Sequence, residues 1–358
     1  MRTLAAFDGQ QRAKAKHLLA TQVSLMMGRK YEEDDWANVY ETVKAIPRSS
    51  WSNLSIDVMH GNLGVEQKML CRPVDRSILT DCGLDLMHPA GTRAIRIPDI
   101  EDPTLAARNI LAQYGKLIAL RTSVVEILHL FSHGRCKRGE ALRHLVEGLK
   151  FGRPSAEKLV PLQPLPIGAS DALPDMRFGW LLWKSSLDEF LYFEERMVAP
   201  DPERFRAEWH ASGGGRRLAS RNLWVYDEAT GRKVYSITTS AGAKIQPYFR
   251  VPPPNDPNLY HFVVQGEPVQ KGVRQVWLQP ATAKKLRQQV TELSPEGIDL
   301  LLSRIDLDNL KINPEAHFLT TQEAVPVLIN EKSYLLIREK FDAVSDEHAV
   351  QLLLDLID

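Results

Sequence analysis

The chain predicts a mixed α/β protein, and three observations carry that expectation. Helical spacing runs from Gln10 to Met27 and again from Leu105 to Leu130; between them, Asp57 to Leu70 alternates as strands do. A second group of short strand signals follows from Arg221 onward. With 358 residues, the chain can form one large domain or two ordinary ones. Apolar residues make up 44% and charged residues 25%, ordinary values for a soluble protein with a sizeable core.

Taken in order, the first helix carries Leu18, Leu19, Val23 and Met26 on one apolar stripe. Asp34 and Asp35 are positioned to cap a second helix from Trp36 to Ile46, which Pro47 would end. Asp57 to Leu70 reads as two strands around a His60-Gly61-Asn62 turn. Arg93 to Ile97 alternates like a further strand. The helix from Leu105 is too apolar for a solvent-facing position and is expected to cross the core. Repeated prolines between residues 161 and 175 break any helix or central strand, so a linker falls there. This divides the chain into residues 1–165 and 166–358. Beyond it come an aromatic stretch from Phe178 to Met197, a hairpin from Arg221 to Ile237, strands at Tyr260–Gln265 and Val273–Leu278, and helices at 281–292, 295–305 and 346–357.

Composition narrows the function classes. The 45 basic and 45 acidic residues cancel, so a polyanion partner requires local concentration of positive charge. Cys71, Cys82 and Cys136 have no CxxC spacing and read as reduced thiols. The N-terminus lacks an apolar signal core, and no run of about 18 apolar residues occurs, so a cytoplasmic protein without a membrane partner is expected. HExxH, GxSxG, GxGxxG and GxxxxGK[ST] are all absent, which argues against a zinc hydrolase, a serine hydrolase and a nucleotide cofactor.

The hairpin carries the chemistry. Residues i and i+2 of a strand share a face, so Glu66 and Lys68 stand side by side and Gln67 faces away. The returning strand can bring Asp57 beside them. Asp57 and Glu66, with the backbone carbonyl of Gln67, suit Mg²⁺, which takes a few carboxylates and leaves other positions to water and phosphate. Lys68 then stands near the phosphate as a fixed cation. The plainer alternative is a surface cross-strand ion pair. On the long helix, Gln113 and Lys116 lie one turn apart and can approach the phosphate or simply edge the core.

This segment resembles the PD-(D/E)XK nucleases, most closely type II restriction endonucleases. Asp57 stands where the family has an acid closing one strand, and Glu66-Gln67-Lys68 matches its (D/E)xK triplet on the next; Ile56 replaces the usual proline. The resemblance covers about residues 35 to 130. It implies an α/β core with a mixed central sheet flanked by helices, Mg²⁺-dependent cleavage of double-stranded DNA, and a homodimer. Residues 1–165 would then be the nuclease core and 166–358 the region for recognition and dimerisation. Glu41 either corresponds loosely to an extra acid that some members hold near the metals or is a structural glutamate on a helix surface. Pro98-Asp99 has no triplet after it and reads instead as a turn leading to a helix N-cap.

Local charge suits DNA. Arg135, Lys137 and Arg138 open a basic stretch, and Arg216, Arg217 and Arg221 follow three glycines in a flexible loop. Lys244 and Gln246 add phosphate and base-edge donors. Aromatic side chains at Trp180, Trp183, Phe190, Tyr192 and Phe193 either stack on bases or fill a core. The expected activity is a sequence-specific, Mg²⁺-dependent DNA endonuclease. A modification-dependent or repair nuclease with the same site, and a non-catalytic DNA-binding protein, are the alternatives.

Overall fold

The computed structural model describes residues 3–26, 29–47, 56–89, 95, 97–132, 173–211, 221–239, 243–289, 323–341 and 345–355. Arg135, Lys137, Arg138, Arg216 and Arg217 lie outside them, as do the expected helix at 295–305 and most of the proline-rich linker. Among the described residues the protein is mixed α/β, with six helices and three sheets.

The elements run β1 (Thr3–Leu4), α1 (Gly9–Leu25), α2 (Glu33–Lys44), β2 (Val58–His60), β3 (Leu63–Arg72), β4 (Asp85–Met87) and α3 (Pro103–Ser132). Then follow β5 (Asp175–Lys184), β6 (Glu189–Arg196), β7 (Phe205–Ala211), β8 (Arg221–Asp227), β9 (Lys233–Thr238), β10 (Lys244–Arg250), β11 (Tyr260–Val263), β12 (Glu267–Gln270) and β13 (Val273–Leu278). The chain closes with α4 (Pro280–Gln289), β14 (Val325–Asn330), α5 (Glu331–Lys340) and α6 (Asp346–Leu354).

Local chemistry sets the helix starts. Asp8 accepts a hydrogen bond from the Gln11 amide at 2.8 Å, and the Gln11 side chain accepts from the Asp8 amide at 3.1 Å, a reciprocal capping box. The second helix begins earlier than the acids at 34 and 35 suggest: Asp35 lies inside its first turn, and its carboxylate accepts from the Glu32 amide at 2.9 Å. Asp102 caps α3 by accepting from the Leu105 amide at 2.6 Å, so the Pro98-Asp99 segment is indeed a lead-in to a helix.

The first sheet has the order β1-β6-β5-β3-β2, with β11 also paired to β6. Its β3–β5 ladder is parallel and the other pairings are antiparallel. A parallel neighbour needs a long crossover, and α3 lies in that connection. The ladder joins strands on either side of residue 165, so the first sheet is not confined to residues 1–165. On one face, Val58 and Val65 pack with Leu19, Trp36 and Tyr40 of α1 and α2. On the other, Ile110, Leu111 and Ile118 of α3 pack with Met176 and with Leu223, Val225 and Ile237 of the second sheet.

That second sheet is an antiparallel meander of order β4-β10-β9-β8-β7. The third sheet, β12-β13-β14, packs with α4, α5 and α6 around a separate apolar cluster. The aromatic stretch supplies β5 and β6, the buried centre of the first sheet. Trp180, Trp183, Phe190, Tyr192 and Phe193 are at most 4% exposed, and Trp180 stacks on Phe249 with centroids 4.0 Å apart, which removes all five as platforms for stacking bases. Of the strand expected at 93–97, the described residues show one bridge, Ile95 with Ala243; residues 93, 94 and 96 lie outside the described set. Among the described residues no helix is long and apolar enough to cross a membrane.

Candidate active site

The β2–β3 hairpin turns through Gly61, whose φ of +58° glycine adopts without steric cost. The register pairs Val58 with Val65 and Met59 with Gly64. Continued by one residue, it sets Asp57 across from Glu66, on the same face as Lys68. The expected convergence of these three residues is therefore realised. Asp57 Oδ2 accepts a hydrogen bond from the Gln67 backbone amide at 2.7 Å. Lys68 Nζ donates to Glu66 Oε1 at 2.8 Å and to the Gln67 carbonyl at 3.0 Å.

The opposing helix completes the site. A Cβ on Gly64 would lie 2.7 Å from Met176 Sδ and 2.8 Å from Val125 Cγ2, so only glycine lets α3 approach this closely. One turn before Val125, Arg121 reaches Glu66 Oε1 at 3.4 Å. Tyr114, two turns earlier on the same stripe, is buried, and burial pushes its hydroxyl pKa up to about 12; Arg121 lowers it and Glu66 raises it further. Neither residue was singled out from the sequence. The signal was present: Tyr114, Ile118, Arg121 and Val125 follow the i, i+4, i+7, i+11 spacing of one helical face, and an arginine on that apolar stripe needs a buried partner.

Electrostatics single out the acid pair. Burial, then the charge of Glu66, raise the Asp57 pKa to about 6, against the opposing effects of Lys68 and the Gln67 amide. Glu66 is 7% exposed, and its Oε2 is buried without a hydrogen-bond partner. Two desolvated carboxylates facing each other, one with an orphaned oxygen, fit a divalent cation. Among the described residues no set of three or more His, Cys, Asp or Glu side chains is arranged to hold a metal, so further ligands would come from carbonyl, water or phosphate oxygen. The Gln67 carbonyl can serve only if Lys68 releases it.

Other expected members are not brought here. Glu41 lies on α2, whose apolar residues pack with Val65 on the opposite face of the sheet from Glu66. Of the acids in α2 it is Glu33, at its first turn, whose charge reaches Asp57. Gln113 is buried and donates to Asn109 Oδ1 at 2.9 Å within its own helix, two turns from Arg121; Lys116 is exposed.

The residues expected on DNA are split between faces. The Arg221 guanidinium lies 4.4 Å from the Trp209 ring centroid, and Trp209 shares the α3-facing parity of Phe205 and Ala207. Lys244 and Gln246 share the outer face of the second sheet with Tyr248, and Gln246 donates to the Pro89 carbonyl at 2.9 Å. That outer face also carries Trp224 and Tyr226. Lys233 Nζ stands 3.4 Å from the Trp224 ring centroid, His210 stacks on the same ring at 3.6 Å, and Arg206 covers Tyr226 at 4.6 Å. Alternation in β8, with Leu223 and Val225 buried, sets these aromatics outward. Comparison with known proteins adds no family to this geometry: no family model, no curated protein and no solved structure matches the chain.

Proposed function

We propose that this protein is a cytoplasmic, Mg²⁺-dependent endonuclease acting on double-stranded DNA, with its reaction centred on Asp57, Glu66 and Lys68. The observation that carries the reading is the hairpin: a half-buried Asp57 and a buried Glu66 opposed across one strand pair, with an orphaned oxygen on Glu66 and an ammonium 2.8 Å from its other oxygen. A mixed sheet with helices on both faces agrees with a restriction-endonuclease-like core.

Asp57 and Glu66 would hold the cation, with the Gln67 carbonyl as a further oxygen. When bound, Mg²⁺ supplies charge stabilisation at the phosphodiester and a more acidic water. Lys68 orients the Glu66 carboxylate and offers a fixed positive charge to the phosphate as its negative charge grows. Arg121 holds the same carboxylate from α3 and limits its rotation. The aromatic and basic outer face of the second sheet supports a nucleic-acid partner, since a π-face and a cation suit bases and phosphates together. Sequence recognition and homodimer contacts are assigned to residues 166–358.

One observation favours the non-catalytic DNA-binding reading. Lys68 and Arg121 already flank Glu66, so its charge is balanced without a metal. Incubation with plasmid and phage DNA under Mg²⁺ or Mn²⁺ separates the two. Discrete fragments that vanish with Lys68→Ala support the nuclease. Binding without cleavage, across unmodified and methylated substrates, would overturn it in favour of the binding protein.

A further inference from the structure

A second buried carboxylate stands on the same face of the first sheet. The register runs Glu66 to Phe178 on β5 and Phe178 to Glu195 on β6, so Glu195 lies two strand spacings from Glu66, roughly 10 Å. Glu195 is 5% exposed. Its Oε1 accepts from Trp180 Nε1 at 2.9 Å, while Oε2 is buried without a partner. Both residues line a cavity of about 960 Å³ between the first and second sheets. Tyr114, Phe178 and Tyr235 contribute further aromatic wall. Val198 also lines it and is 66% exposed, so the cavity opens to solvent there.

We infer that this cavity binds a single nucleobase carrying an exocyclic amino group, unstacked from its strand, with Glu195 Oε2 as its hydrogen-bond partner. The partly exposed rings of Phe178 and Tyr235 offer π-faces to a flat ring, and the unsatisfied Oε2 demands a ligand that hydrogen-bonds at its edge. A carboxyl group accepts from the amino group of cytosine or adenine, and its protonated form also donates to the adjacent ring nitrogen. Burial raises the Glu195 pKa to about 7, which makes both forms accessible near neutrality. A purely apolar ligand would leave Oε2 unsatisfied. Arg196 lines the same cavity and supplies positive charge for the attached phosphate; Arg204, also on the wall, is paired with Asp227 at 2.9 Å. The volume falls in the usual range for small-ligand sites of about 300–1,000 Å³. Enzymes that take a base out of the stack hold it in such a pocket, between aromatic walls and a polar edge reader.

The inference deepens the nucleic-acid reading of the site and rests on it, yet its test needs no cleavage. Saturation-transfer NMR on the full chain, with dCMP, dAMP and dTMP as probes, measures occupancy directly. Binding of dCMP or dAMP is expected to exceed that of dTMP and to weaken about tenfold in Glu195→Gln, which keeps the volume and the acceptor for Trp180. Val198→Trp, a change at an exposed position on the rim, is expected to weaken binding while leaving the core packing intact. Lys68→Ala is expected to bind as the parent does. Absence of nucleotide binding at millimolar concentration, or equal binding by the parent, Glu195→Gln and Val198→Trp, would overturn the inference. If nucleotides bind this way and DNA is never cut, the cavity stands and the nuclease reading falls. If cleavage depends on Lys68 and no nucleotide binds, the cavity inference alone fails.

Discussion

Two buried acids on one sheet face solve the same problem in different ways. Glu66 is held between the ammonium of Lys68 and the guanidinium of Arg121, with Asp57 pressing a second negative charge against it. Glu195, two strands away, has aromatic neighbours and one hydrogen bond from Trp180. Burial drives its pKa to about 7, against the lowering effect of the Trp180 hydrogen bond. The first arrangement surrounds its acids with charge, Lys68 and Arg121 on Glu66 and Glu66 on Asp57. The second keeps a switchable donor and acceptor where a neutral, flat ligand can fit. What differs is what α3 delivers, Arg121 to the hairpin and Tyr114 to the cavity, whose arginines Arg196 and Arg204 come from elsewhere in the fold.

The largest expected effect breaks the charged half of this comparison. Lys68→Ala should lower Mg²⁺-dependent cleavage by about 10²–10³-fold, the usual consequence of removing one fixed stabilising group. Supercoiled plasmid, with circular dichroism to confirm the fold, provides the measurement; parental rates would remove Lys68 from the reaction. The next effect concerns the neutral half and is a matter of stability. The folded pKa of Glu195, about 7, lies above its ordinary value of 4.5, so the folded state binds the proton more tightly. This acid therefore costs nothing below about pH 4.5 and becomes progressively destabilising as pH rises to about 7. Above pH 7 the full difference applies, about 3 kcal/mol. Glu195→Gln should be more stable than the parent by about that amount at pH 8, and the two should converge at pH 4 in urea titrations. A pH-independent difference would show that the carboxyl does not titrate in this way.

Gly64→Ala tests how the two halves are joined. Its new Cβ meets Val125 and Met176, and overpacking of this kind costs about 1–3 kcal/mol. Thermal melts should show the loss, and displacement of Arg121 from Glu66 should lower cleavage beyond what the lost stability explains. The smallest effect lies on the outer face of the second sheet. Trp224→Ala should weaken single-stranded DNA binding by about 1 kcal/mol, read by fluorescence anisotropy, since it removes the ring against which His210 and Lys233 are held and leaves the buried face untouched. Unchanged affinity would take the DNA contact away from this face.

How much was legible in the sequence differs from region to region. The alternation around Gly61 predicted the convergence of Asp57, Glu66 and Lys68, because a two-residue turn and a period of two leave little freedom. The apolar density of the long helix predicted burial, and α3 does pass between two sheets. Arg121 was overlooked because the eye assigns arginine to solvent; only its place on the stripe of Tyr114, Ile118 and Val125 gives it away. Glu41 was misplaced for the opposite reason. Proximity in sequence to the hairpin says nothing about which face of the sheet a helix covers, and α2 covers the wrong one. The same blindness applied to Arg221 and Lys244, neighbours in charge pattern that the second sheet sets on opposite faces.

By itself the sequence determined the local pieces: the caps at Asp8 and Asp102, the hairpin and its register, and the buried character of α3. These depend on interactions within a few residues, where propensity, capping and alternation act directly. The tertiary structure alone decided that β5 lies parallel to β3, that α3 brings Arg121 against Glu66, and that Glu195 stands in an aromatic cavity about 10 Å away on the same face. Those outcomes depend on pairings between distant parts of the chain, 55 positions for Arg121 with Glu66 and 112 for the β3–β5 ladder. Backbone ladders and packed volumes select them, and local side-chain order alone does not name the partner.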